Sequence, residues 1–194
     1  MDENAAYLDD FIEKRLEEVI DGELVVIYAR PGTIHNFIVS NIYCLFANYL
    51  YGKKSEPLGA RLALYLDKNN CFMPDMMVIC DPDKIQPDGV HGAPDLVVEV
   101  LSPSTVKNVR GRKMAAYARC GVREYWIVSP NERFVEVYRL QEGSFILYDI
   151  YVLHPDWQIA QMPDEERAAV VTHFKCSLFD DLEIFLEDIF YLPF

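Results

Sequence analysis

The order strand, helix, strand between residues 95 and 129 limits the possible folds more than any other stretch. "DLVVEVL" (95–101) is apolar enough to be a strand buried on both faces. A helix of about 105–120 starts at "SPST" and closes at Gly121, and "REYWIVS" runs straight on. A hairpin turn cannot join two parallel strands, whereas a helix of this length can. The unit therefore reads as a crossover that sets the two strands parallel in an α/β (α+β) sheet.

The flanking chain supplies further elements. Leu8, Phe11, Ile12, Leu16, Val19 and Ile20 lie near helical spacing and predict a helix over about 4–20, ended by Asp21-Gly22 ahead of the strand "ELVVIYA". Ile38, Ile42, Leu45 and Tyr49 form one stripe of a second helix, about 34–50, capped by Thr33. "RLALYL" (61–66) and "FMPDMMVIC" (72–80) read as strands, as does "RFVEVYRL" after the crossover. The last stretch, "FKCSLFDDLEIFLEDIF", reads as a short strand or turn and an amphipathic helix of about 180–191. No linker or repeat divides the chain, so a single domain over 1–194 is expected, with the two terminal helices as appendages. Phe185, Ile189 and Phe190 on the last helix suit either a homodimer contact or this chain's own core.

A formal net charge of -13 excludes a uniformly basic nucleic-acid-binding surface, so a phosphate-binding role needs a local basic patch. Lys107, Arg110 and Arg112, with Arg119 and Arg123 nearby, supply one. The five cysteines form no CxxC pair, which argues against zinc and against a disulfide framework and favours a reducing cytoplasm. The acidic start and the lack of a long apolar run predict neither signal peptide nor membrane span.

The chemistry starts from Glu99. Alternation along the strand puts Asp95, Val97, Glu99 and Leu101 on one face, so a carboxylate points where apolar side chains point. Desolvating it costs several kcal/mol unless a cation or several donors meet it. On the following helix Val106, Val109, Lys113, Ala116, Tyr117 and Cys120 share one face, and Lys113 lies in its centre. The pair can be a structural ion pair or two members of an active site. Asp75 opens the apolar run "MMVIC"; if that strand neighbours 95–101, Asp75 and Glu99 can share one divalent ion. Asp95 is a poorer partner, about 13 Å along the same strand from Glu99 at roughly 3.3 Å per residue, and is expected to cap a turn after Pro94. Two carboxylates and a lysine form a hard-oxygen site for Mg²⁺ or Mn²⁺, suited to hydrolysis of a phosphodiester.

An acid after proline on one strand and a glutamate on the next resemble the PD-(D/E)xK nuclease superfamily. "PDMMVICD", "GAPDLVVEVLSPST", "RGRKMAAYARCGVREYWIVSP" and "DGEL" followed by "H" resemble, within it, the Uma-two family of restriction endonucleases (DUF820 type). The resemblance implies a restriction-endonuclease-like fold, a central mixed β-sheet flanked by helices, and an Mg²⁺-dependent site acting on DNA. It matches Asp75 to the first-motif aspartate and Glu99 to the acid of (D/E)xK. Leu101 stands at the motif lysine position, and in the Uma-two pattern the lysine comes from the following helix, here Lys113. Val109 before Arg110 and Ser129-Pro130 depart from the family pattern. Glu23 and His35 resemble recurring polar positions and are possible accessory groups, the alternatives being an exposed strand-start glutamate, the commoner case, and a solvated histidine. Tyr117 shares the face of Lys113 and is expected to pack with a hydrogen bond. The alternative is an inactive nuclease fold serving as an oligomerisation or regulatory module.

Overall fold

The computed structural model describes residues 16–27, 32–59 and 62–194. It begins with a hairpin in which β1 (Leu16–Ile20) and β2 (Glu23–Ile27) pair antiparallel across Asp21-Gly22. Both turn residues have positive φ, 52° and 80°, the conformation of two-residue turns whose twist matches that of the strands. Residues 16–20 are therefore a strand, not the end of a helix over 4–20; the earlier part of that expected helix lies outside the described residues. Leu16, Val19 and Ile20 are spaced for a helix, but the partner strand across the turn decides the conformation.

Helix α1 (Thr33–Leu50) buries His35, Ile38, Ile42, Phe46 and Leu50, a stripe in steps of three and four. Its N-cap is the extended Gly32 with no side-chain cap bond, so Thr33 is the first helical residue and not the cap. Strands β3 (Glu56–Gly59), β4 (Leu64–Asp67), β5 (Asn70–Phe72), β6 (Met76–Ile79), β7 (Ile85–Gln86), β8 (Gly89–His91) and β9 (Leu96–Val100) follow. The strand expected over 72–80 is thus split around Pro74, and the one over 61–66 is displaced to 64–67.

The crossover helix α2 runs through Val106–Asn108, Val109–Lys113, where it kinks at Gly111, and Met114–Cys120. Gly121 ends it at φ 93°, a left-handed conformation that glycine adopts without steric cost. Then come β10 (Glu124–Ser129), β11 (Phe134–Gln141), β12 (Ser144–Val152), α3 (Asp156–Gln161), α4 (Asp164–Ala168), β13 (His173–Lys175), β14 (Glu183–Phe185) and α5 (Leu186–Ile189). The helix expected over about 180–191 reduces to β14 and one turn. Ile189 and Phe190 are buried in this chain's own core, which removes them as dimer contacts, while Phe185 stays exposed.

The central sheet has the order β12-β11-β10-β9-β6-β3. Within it β9 and β10 are parallel, from Leu96 opposite Glu124 to Val100 opposite Val128, and the other pairs are antiparallel. One face packs on α1 and the C-terminal segment through Ile42, Phe46, Val98, Trp126, Phe174 and Ile184. The other face is covered by a second six-stranded sheet, β2-β1-β5-β4-β8-β7, and by α2, through Ile20, Leu64, Phe72, Val97, Tyr117 and Tyr125. This second sheet, built of strands two to five residues long, sets the hairpin over the face that carries Glu99. Among the described residues no helix is long and apolar enough to cross a membrane.

Candidate active site

Two short connections bring the candidate groups together. The crossover returns α2 over β9, and Lys113 Nζ lies 2.6 Å from Glu99 Oε1. The helix is kinked at Gly111 (φ -120°, ψ -105°), and Val109 and Lys113 on either side of the kink are both buried. One turn on, the Tyr117 hydroxyl donates to the same Glu99 oxygen at 2.9 Å. Of the stripe read from the sequence, Val109, Lys113, Ala116 and Tyr117 are buried, whereas Val106 is exposed.

Asp75 stands just before β6, which pairs antiparallel with β9, Met76 opposite Val98. Continued by one residue, that register sets Asp75 opposite Glu99. Asp75 Oδ2 accepts from the Val100 N–H at 2.8 Å and lies 3.3 Å from His35 Nε2. His35 Nε2 also lies 3.1 Å from the Val100 carbonyl oxygen, and its Nδ1 is buried without a hydrogen-bond partner among the described residues. The first turn of α1 thus fixes one side of Asp75 and the edge of β9 the other.

A further carboxylate belongs to the cluster. Glu18 on β1 is buried, accepts from Lys113 Nζ at 2.9 Å and takes the Met73 N–H at 2.9 Å on the same oxygen. Glu23 is exposed at the start of β2, 2.9 Å from Arg112, the position of an ordinary strand-start glutamate. The available signal was Asp-Gly between two short apolar runs: read as a hairpin, it makes 16–20 a strand with Glu18 and Ile20 on one face. Asp95 accepts from the Cys80 N–H at 2.8 Å and lies 3.5 Å from Arg123. The basic patch is largely paired: Arg110 with Glu136, Arg112 with Asp21 and Glu23, Arg119 with Asp21. Lys107 is exposed at the start of α2.

Burial dominates the electrostatics. It pushes the Glu99 carboxyl up to about 7, with Lys113 opposing and the charges of Asp75 and Glu18 adding to the rise. Burial pulls Lys113 down, but Glu99 and Glu18 outweigh it and the ammonium is held above its ordinary range. Burial and the Glu99 charge raise the Tyr117 hydroxyl well above its usual value, so it remains a donor. Burial lowers His35, but Asp75 outweighs it and the net shift is upward.

The donor set suits a hard cation. Lys113 and Tyr117 both engage Oε1 of Glu99, while Val100 N–H and His35 both meet Oδ2 of Asp75, so Oε2 and Oδ1 take none of these bonds. Among the described residues no group of three or more His, Cys, Asp or Glu is placed to hold a metal ion. Two carboxylates match Mg²⁺, which keeps several waters and completes its shell with phosphate oxygens, better than a caged ion. His35 and the acids do not form the nitrogen and sulfur set that zinc favours.

Comparison with known proteins gives a consistent picture. The sequence profile of the Uma2 family, described as "Putative restriction endonuclease", matches residues 5–168. An uncharacterized protein of Synechocystis sp. is 33% identical over 140 residues, covering 70% of this chain and 72% of that protein. A crystal structure of "a putative nuclease belonging to DUF820" from Anabaena variabilis superposes with a TM-score of 0.63 at 20% identity, covering 94% of this chain and 96% of the other. That likeness establishes a shared fold.

Proposed function

Since the chain belongs to the Uma2 family of restriction-endonuclease-type proteins, we propose that it is a Mg²⁺- or Mn²⁺-dependent nuclease that hydrolyses phosphodiester bonds of DNA. The observation that carries this reading is the position of Lys113. Leu101 occupies the strand position where a nuclease of this type has its lysine, yet an ammonium from α2 stands 2.6 Å from Glu99. Asp75 and Glu99 would hold the ion, which when bound supplies a more acidic water and neutralises charge on the phosphoryl oxygens. Lys113 offsets negative charge beside the reacting phosphate. Tyr117 and Glu18 fix the lysine and Glu99 in place, and Val100 N–H and His35 orient Asp75. Lys107 and the arginines of α2 guide the DNA backbone, weakly at physiological salt because most carry their own acids.

One observation favours the alternative of an inactive nuclease-fold module: Lys113 is buried and shared by two carboxylates, as in a purely structural ion cluster. Two measurements separate the readings. Mn²⁺ at about a hundredfold excess over its Kd is expected to stabilise the protein by about 2.7 kcal/mol, a melting shift of roughly 5–10 °C for a chain of this length. Asp75→Ala and Glu99→Ala should abolish that shift. Plasmid nicking with Mg²⁺ should disappear in Asp75→Ala, Glu99→Ala and Lys113→Ala. Full nicking by Lys113→Ala, or a Mn²⁺ shift retained in both acid variants, would end the nuclease reading.

A further inference from the structure

Of Asp75, Glu99 and Lys113, Asp75 is the most open to the outside: its side chain is 23% exposed, against 6% for Glu99 and 5% for Lys113. It is reached through a cleft of about 500 Å³ between α1 and β3. Val39, Ser40, Tyr43 and Cys44 form one wall, a helical stripe beside the one that packs on the sheet, and Leu58 forms part of the other, with Asp75 at the end. Tyr43 is 41% exposed although it is a large aromatic.

The chemistry of this wall selects its occupant. Asn36 and Gly59 complete the described lining of the cleft, and none of its residues is a lysine or arginine. The ring of Tyr43, aliphatic side chains, the Ser40 hydroxyl and the Asn36 amide suit a flat, uncharged, hydrogen-bonding group, and the volume lies in the range of small-ligand pockets. A nucleic-acid strand with its phosphate at the Asp75 end has such a group within reach, its own base. A base inside an intact duplex is stacked and paired and cannot enter.

We propose that the cleft between α1 and β3 binds an unpaired nucleobase next to the phosphate to be cut, with Tyr43 as its stacking platform, so that the substrate is single-stranded or locally unpaired nucleic acid. This rests on the nuclease reading for the word "cut" but not for the binding. The test compares a labelled single strand, its duplex and the same strand with abasic positions, by fluorescence anisotropy with Ca²⁺ in place of Mg²⁺. The single strand should bind more tightly than the other two. Tyr43→Ala should lose about tenfold or more in affinity for the single strand, the loss expected for one base–aromatic stack, and none for the abasic strand. Tyr43→Phe should retain binding, and Tyr51→Ala, an exposed tyrosine beyond the helix end, should match the wild type.

Equal affinity for the base-bearing and abasic strands, or wild-type binding by Tyr43→Ala, overturns the proposal. Tyr43→Ala with unchanged binding but an altered sedimentation coefficient would assign the cleft to a second copy of the chain, and also overturns it. Cleavage with Mg²⁺ is measured in parallel. Tyr43-dependent binding without cleavage by the wild type leaves the cleft standing and removes the nuclease reading; cleavage indifferent to Tyr43 does the reverse.

Discussion

Replacing Lys113 by Met tests the buried cluster most directly. The substitution keeps most of the side chain's volume and removes the only cation that the structure places against Glu18 and Glu99 among the described residues. Removing one partner of a buried ion pair costs about 3–5 kcal/mol, and at roughly 2 kcal/mol per molar urea this moves the unfolding midpoint down by about 1.5–2.5 M. The loss must depend on pH. In the wild type the Glu99 carboxyl is raised from 4.5 to about 7, so the folded protein keeps a proton that the unfolded chain releases. Stability from this group is complete below about 4.5 and falls as pH rises toward 7, by up to about 1.4 kcal/mol per pH unit. Without Lys113 the main opposing charge is gone, the carboxyl rises further, and the fall continues above pH 7. Urea unfolding at pH 5 and pH 8 should therefore show a penalty for Lys113→Met that is larger at pH 8 than at pH 5, by up to about 1.4 kcal/mol through Glu99. Glu99→Gln combined with Lys113→Met should recover part of it. Equal penalties at both pH values, or none at pH 8, would refute the view that these charges hold the cluster together.

Other expectations follow from single contacts. Gly59 has room for no side chain, because a Cβ there would sit 2.8 Å from the Asp75 backbone oxygen; Gly59→Ala should push Asp75 off β9, lower the melting temperature and cut any Asp75-dependent nicking. Glu124 is fully buried and accepts from Trp126 Nε1 at 2.6 Å and the Ser177 N–H at 3.0 Å. Glu124→Ala leaves both donors unpaired and should cost about 2–5 kcal/mol, with Glu124→Gln milder, as read by urea midpoints. Phe72 is buried edge-on to Tyr117 at 5.2 Å, and Phe72→Ala should cost about 3–5 kcal/mol in chemical unfolding.

The parts of the fold legible in the sequence are those whose partners are close in the chain. The crossover from β9 through α2 to β10 was readable because a buried apolar strand, a capped helix and a second apolar strand follow one another, and the pairing of β6 with β9 placed Asp75 as expected. Glu99 and Lys113 stood out because each is a charge on an apolar face. The hairpin is not legible because Leu16, Val19 and Ile20 satisfy helical spacing while a five-residue strand shows little alternation, and with it the place of Glu18 in the cluster stays hidden. The pairing of Arg112 with Asp21 joins residues 91 positions apart, so no local pattern could show that the basic patch is neutralised. The C-terminal "EIFLEDIF" has helical periodicity, but Ile184 and Leu186 go into the sheet-covered core and tertiary packing overrides the local preference.

The spacing of the cluster along the chain also gives the order in which it forms. Lys113 meets Glu99 within one crossover, whereas its bond to Glu18 spans 95 residues. Loop closure makes distant contacts slower and entropically costlier than near ones. Folding should therefore join lysine and strand early, and the hairpin should bring the second carboxylate late. Substitutions in the crossover then slow refolding, while Glu18→Gln acts mainly by speeding unfolding.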